Sequence, residues 1–231
     1  MNIKFVRASV AAAVVLVAGS AQAATVVVAN AKFETLPAGG LNNTLPSNLC
    51  CGTYSVAPIP GWKTAAGQTS GQFDPTYSPG DVFNAPPPGG GLVAFTNGGP
   101  ISQIVSATAK AGDTYTLTTD VGLWNQSYEP SYTSGTVTLD VGGHSITATG
   151  TPPTSGGWSI YTATYTAVAG DAGGPIEIVL DNAGPQGDFA NVQLSAVPEP
   201  ATWAMMLFGV GMIGAGMRLA RRKNAMALAT A

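Results

Sequence analysis

The chain has 231 residues, of which only 9% are charged, and a formal net charge of −3. Between residues 24 and 196 the charged side chains are three lysines and eleven acids, with no arginine. That excludes a nucleic-acid partner, whose phosphates need Lys and Arg to neutralise them, and it excludes charge-driven attachment to an anionic leaflet.

In chain order, Lys4 and Arg7 precede an apolar run over residues 8–18 and then Ala21-Gln22-Ala23. A positive start, a short apolar stretch and a small-residue A-x-A site predict a secretory leader. It passes the Sec translocon and is cut after Ala23 by signal peptidase. A first strand is predicted over residues 25–33. Residues 37–91 are rich in Gly, Pro, Asn and Ser, and Pro86-Pro87-Pro88-Gly89-Gly90-Gly91 cannot lie in a central strand. This region reads as long loops over one end or edge of the domain, although short strands are expected at 92–95 and 101–106. Polar and apolar residues alternate over 114–121, 136–141, 159–166 and 177–180, with a last strand over 189–195. Gly142-Gly143 sits between two such runs and predicts a hairpin turn that ends at His144. No helical period of useful length appears before Pro200. Short strands between Gly/Pro turns predict an all-β, antiparallel sandwich over residues 24–196.

Residues 201–217 carry no charge, and Arg218, Arg221, Arg222 and Lys223 follow at once. A helix of that length rises about 25 Å, close to the bilayer core of about 30 Å, with Trp203 at one interface and Arg218 snorkelling at the other. The basic residues belong on the cytoplasmic side, and the domain before them outside. Pro198-Glu199-Pro200, then Thr202-Trp203-Ala204, an apolar Gly-rich stretch and the basic run resemble the PEP-CTERM sorting tail in its Trp-Ala subtype. The resemblance covers residues 197–224. It implies recognition by an exosortase in the inner membrane, processing near Pro-Glu-Pro, and a Gram-negative, polysaccharide-secreting host. The expected course is export, transient anchoring in the inner membrane, and delivery to the cell surface or matrix. Residues 225–231 are assigned no role.

The order of signposts in the middle domain also resembles the galactose-binding-like jelly roll of many carbohydrate-binding modules. These signposts are Asn30-Ala31-Lys32-Phe33-Glu34, Pro60-Gly61-Trp62, Ile101-Ser102-Gln103, residues 111–117 and Phe189-Ala190-Asn191-Val192. The resemblance implies a jelly-roll β-sandwich and a structural calcium near the two ends of the domain, with Glu34, Asp188 and Asn191 as candidate ligands. This sequence departs from the pattern at Ala190, where such modules carry an acid that helps to hold the ion.

The adjacent pair Cys50 and Cys51 reads as a vicinal disulfide, with intermolecular bridging and a modified thiol as alternatives. A Ser-His-Asp or Cys-His mechanism would need His144, the sole histidine, which belongs at a hairpin tip. Eleven acids guarantee some pair at glycosidase spacing, so no enzyme signature follows from them, and no catalytic residue is assigned. The loop Trp124-Asn125-Gln126-Ser127-Tyr128-Glu129-Pro130-Ser131-Tyr132 combines flat aromatic faces with hydrogen-bonding groups suited to sugar hydroxyls. Trp124, Asn125, Gln126, Tyr128, Glu129 and Tyr132 are the candidate ligand residues, and the alternative is that Trp124 caps the core. The sequence thus predicts an exported, non-catalytic surface or matrix protein that binds extracellular polysaccharide. A polysaccharide hydrolase and a structural component without ligand are the alternatives.

Overall fold

The computed structural model describes residues 22–45, 52–67, 69–77, 79–128, 130–182, 184–198 and 208–218. Cys50, Cys51, Glu129, Ala21, Glu199, Pro200, Trp203, Ala204, Arg221 and Arg222 lie outside the described residues, as does most of the predicted leader.

The alternating segments become strands because every second residue is apolar and can enter a shared core. Leu117, Val121 and Leu194 on one sheet meet Val137, Leu139, Ile176, Ile178 and Leu180 on the other, all at or below 1% exposure. Thirteen strands fall among the described residues: β1 (Ala24–Val26), β2 (Asn43–Thr44), β3 (Gly52–Ser55), β4 (Lys63–Thr64), β5 (Thr69–Pro75), β6 (Val93–Asn97), β7 (Ile101–Thr108), β8 (Thr114–Gly122), β9 (Thr136–Val141), β10 (His144–Thr147), β11 (Trp158–Thr166), β12 (Pro175–Asp181) and β13 (Gly187–Val197). The larger sheet runs β11-β8-β13-β6-β5-β3-β2, with β1 also on β13; the smaller runs β10-β9-β12-β7-β4. All strand pairs are antiparallel. From β6 to β9 the chain changes sheet at every strand, as a sandwich of crossed hairpins requires. The fold class expected from sequence is the one found.

Two segments differ from expectation. The first strand stops at Val26, because Asn30 and Phe33 take left-handed φ of 48° and 57° and close a turn in which the Phe33 N–H donates to the Asn30 carbonyl. Residues 37–91 are not all loop: β2, β3 and β5 extend the larger sheet, and β4 joins the smaller. β5 reads Thr-Ser-Gly-Gln-Phe-Asp-Pro and has no apolar rhythm. It is held by its neighbours and by buried Gln72, whose amide donates to the carbonyls of Phe33 and Thr35. The predicted Gly142-Gly143 turn is present, with φ of 63° and 93°.

The domain, residues 22–199, forms one compact unit. Beyond it, the described residues make a helix, α1, over 208–218. Phe208, Met212, Ile213 and Met217 on α1 are exposed. Among the described residues no helix is long and apolar enough to cross a membrane; residues 201–207 of the expected span lie outside them.

Gly71 in β5 lies so close to β3 that an added Cβ would fall 1.8 Å from the Ser55 carbonyl oxygen. Gly71→Ala should force the strands apart and cost about 1–3 kcal/mol. Gly170→Ala, with open space around it, should leave the melting temperature unchanged in the same calorimetric scan.

Candidate functional site

Side chains alternate along β13, so Phe189 enters the inter-sheet core and Asp188 faces the outer side of the larger sheet. That outer side is not open to water. A second apolar cluster covers it, built from Phe73, Val82, Phe83, Val93, Phe95 and Trp124, with Tyr54, Tyr77, Tyr128, Tyr132 and Trp158 packed against it. Residues 76–91 and 123–134 supply the cover. Phe83 and Trp158 stack at 4.5 Å over Gly122, where any Cβ would lie 2.8 Å from the indole. The Trp158 N–H donates to the Ala85 carbonyl at 3.0 Å and fixes the lid from beneath.

Within this second cluster lies a pocket of about 340 Å³. Its walls are Tyr54, Phe73, Phe95, Trp124 and Tyr132, with Asn97 and Gln186 as polar points. Trp124 lies 6.0 Å from Phe73 and 5.2 Å from Tyr132, ring centre to ring centre. Behind the wall sits Asp188, 1% exposed. The Gln186 amide donates to its Oδ1 at 2.9 Å. The Trp124 N–H leans toward the same carboxyl without closing a hydrogen bond of standard geometry. Among the described residues no Lys, Arg or His pairs with Asp188. Burial therefore dominates and pushes its carboxyl up to about 7, with Gln186 and Trp124 pulling only weakly the other way. When the acid is neutral, Oδ1 is the acceptor for Gln186, so the proton resides on Oδ2.

The loop residues expected to present an exposed aromatic platform do not do so. Trp124 is 5% exposed and belongs to the second cluster, while Tyr128 and Tyr132 are half-buried against it. The Tyr128 hydroxyl donates to the Gly80 carbonyl. Asn125 is spent on its own loop, accepting from the Ser127 N–H and hydroxyl, and among the described candidates Gln126 alone is fully open to water. The rings need cover because residues 76–91, read as surface loop, fold over them. Of the six candidates, Trp124 and Tyr132 reach the pocket wall. The other aromatic walls come from β3 and β5, which sequence reading took for loop, and from β6, which it expected as a strand over residues 92–95.

The three expected calcium ligands are not gathered. Glu34 is exposed, Asp188 faces the second cluster, and the Asn191 carbonyl accepts from Gln193 at 3.0 Å. Among the described residues no three His, Cys, Asp or Glu side chains converge on one point. His144 does occupy the hairpin tip, but its ring is held: Nδ1 lies 2.7 Å from Asp171 Oδ1, and it stacks on Tyr165 at 5.6 Å. Burial pushes the Asp171 carboxyl up, but the Val168 N–H, the Tyr165 hydroxyl and His144 together hold it below the usual range. With no nucleophile in this cluster, it ties the β9–β10 hairpin to β11.

Asp188 gives the fold a pH dependence of known sign. In the unfolded chain it titrates near 3.8, and in the fold near 7. Below about pH 4 both states hold the proton and nothing is lost. From there to pH 7 the fold keeps a proton that the unfolded chain releases, so stability falls by roughly 4 kcal/mol and stays lower above pH 7. Asp188→Asn should raise the melting temperature at pH 8 and change it little at pH 4, as followed by circular dichroism.

Comparison with known proteins places the two parts of the chain. The PEP-CTERM protein-sorting motif matches residues 196–223, which marks an exported protein sorted at the membrane. A comparison with curated protein sequences found no match. Among solved structures, a Stig cyclase, Fisc from Fischerella sp. TAU, in complex with (3Z)-3-(1-methyl-2-pyrrolidinylidene)-3H-indole, aligns with a TM-score of 0.59 and 22% identity; the alignment covers 77% of this chain and 99% of that one. An apo cyclase from Fischerella sp. aligns at 0.58 and 23%, covering 78% and 98%. These are likenesses of fold. The xylan-binding CBM22-1 domain of Paenibacillus barcinonensis Xyn10C aligns at 0.41 and 12% over 60% of this chain and 86% of that one, too remote to bear on a ligand. The family model of the HpiC1 cyclases matches residues 24–195, nearly the whole sandwich, and the chain belongs to that family.

Proposed function

We propose that the exported domain binds a small, flat, largely apolar ligand in the aromatic pocket and rearranges or cyclises it by acid catalysis, with Asp188 as the proton donor. The observation that carries this reading is the buried, cation-free carboxyl of Asp188 behind a pocket whose walls are five aromatic rings. A structural carboxylate is normally paired or solvated; one kept near neutrality at pH 7 can donate a proton. In the reaction, the proton leaves Oδ2 for an unsaturated carbon of the ligand and breaks its π bond. The resulting cation lies among the faces of Trp124, Phe73 and Tyr132, which attract positive charge. Ring closure or migration carries the positive charge to another carbon, and transfer of a proton from the atom beside it to the Asp188 carboxylate neutralises the cation and restores the acid.

Family membership supports a catalytic reading over the non-catalytic one expected from sequence. Glycan binding through exposed rings loses its platform, because Trp124 is buried. The sorting motif supports delivery to the cell surface or matrix through an exosortase. β13 runs from the pocket at Gly187 to the tail at Val197, roughly 33 Å at 3.3 Å per residue, so the pocket lies far from the anchored end.

The indole compound bound by the Fischerella cyclase is the first probe to use. It should quench tryptophan fluorescence of the full chain, and Trp124→Ala should abolish the quench. Among unsaturated indole-bearing compounds, turnover should fall about 10²–10⁴-fold in Asp188→Asn while binding persists. Absence of any binding by apolar aromatics, with retention on an immobilised polysaccharide, would reverse the reading in favour of a glycan module. Deleting residues 201–223 should release folded protein into the periplasm, detected by fractionation.

A further inference from the structure

Sequence resemblance implies a calcium between the first segment and the last strand, yet the donor set it names is dispersed. Ala190, standing where similar modules carry an acid, is fully buried and pairs directly with Asp120 of β8. Adjacent β residues in register share a face, so an acid at 190 would have joined Asp120 in facing an ion. What surrounds Asp120 here is protein. The Gly89 N–H donates to its Oδ2 at 2.7 Å, and the Lys32 ammonium donates to the carbonyl of the same glycine at 3.1 Å. Burial raises the Asp120 carboxyl, and the Gly89 N–H, the Asn191 amide and the Lys32 charge each act against that rise.

The backbone of this junction is tied as firmly. The Leu92 N–H donates to the Lys32 carbonyl at 3.0 Å, and the Val192 N–H to the Ala31 carbonyl at 2.8 Å. Gly89 lies flush against Asn191, where a Cβ would come within 1.7 Å of the amide. A divalent ion wants six to eight oxygens, several of them anionic. Here the one buried carboxylate already accepts an N–H, and the Asn191 oxygen already accepts from Gln193. The donors fit one tethered ammonium and not a calcium ion.

We infer that Lys32 supplies in this chain the positive charge that a bound calcium supplies in similar sandwiches, and that the junction of residues 31–32, 89–92 and β13 closes without metal. Lys32 is itself exposed, so solvent screens its charge and its contribution is modest.

The test is thermal unfolding of the full chain in EDTA and in millimolar calcium chloride, with metal analysis after dialysis. The melting temperature should be the same in both, with no stoichiometric calcium retained. Lys32→Met, which keeps the aliphatic stem and removes the charge, should lower it by on the order of 2–4 °C, equally in both buffers, and Lys32→Arg should restore most of the loss. A drop in EDTA for the natural sequence, or one equivalent of calcium per chain, would overturn the inference. So would a Lys32→Met variant that melts with the parent.

Discussion

β13 has to bury both of its faces, and much else in the domain follows from that requirement. Phe189, Val192 and Leu194 fill the core between the sheets, while Asp188 and Ala190 face the second cluster. Strict alternation from Phe189 would send Val192 outward. Asn191 is the extra residue that prevents this: pairing with β8 shifts between Ala190 and Gln193, and Asn191 takes a left-handed φ of 49°. A one-residue bulge therefore keeps the inward set in phase along the whole strand. Every polar atom carried inward on the outer side must then find a partner, which Gln186 provides for Asp188 and Gly89 for Asp120.

The second cluster explains why residues 76–91 and 123–134 have the composition they do. They are connections that bend often over the sheet and drop Phe83, Trp124 and several tyrosines onto it. Gly122 lets Phe83 and Trp158 approach the sheet, and the Gly156 carbonyl accepts from the Asn84 N–H at 2.8 Å. The lid leaves a gap beside Trp124 rather than closing entirely. Behind that gap a buried acid without a cation is costly in a core built only for stability. Local rules are commonly broken where a site is being kept.

The alternating strands were legible in the sequence because their residues face one core and one solvent, and β8, β9, β11 and β12 fell where the period placed them. β5 was not, because its position is decided by Gln72 reaching the backbone of Phe33 and Thr35, nearly forty residues earlier. The sorting tail was legible for another reason: its residues act in order along the chain and need no tertiary partner. Burial of Trp124 was one of two readings the sequence left open, since an aromatic in a polar loop is exposed or covered according to what another loop does. Asp188 was singled out as a metal ligand from its place near the chain end. Its neighbours Gln186 and Trp124 make it an acid in an apolar wall, and Trp124 lies sixty-four positions away.

The same strand spans the distance between the candidate pocket and the sorting motif. Tail processing acts on residues that follow Val197, at an end of β13 fixed on both flanks, by Thr114 of β8 and, one residue earlier, by Ala24 of β1. The pocket acid is at the other end, beside Gly122 and Phe95. Among the described residues, the pocket's walls and the main core all precede Pro198. The described partners of Asp188, Gln186 and Trp124, also lie before the Pro198-Glu199-Pro200 motif. The sorting motif begins at residue 196, one residue before the last pairing of β13, so Asp188 is held by strand pairs that the motif does not enter.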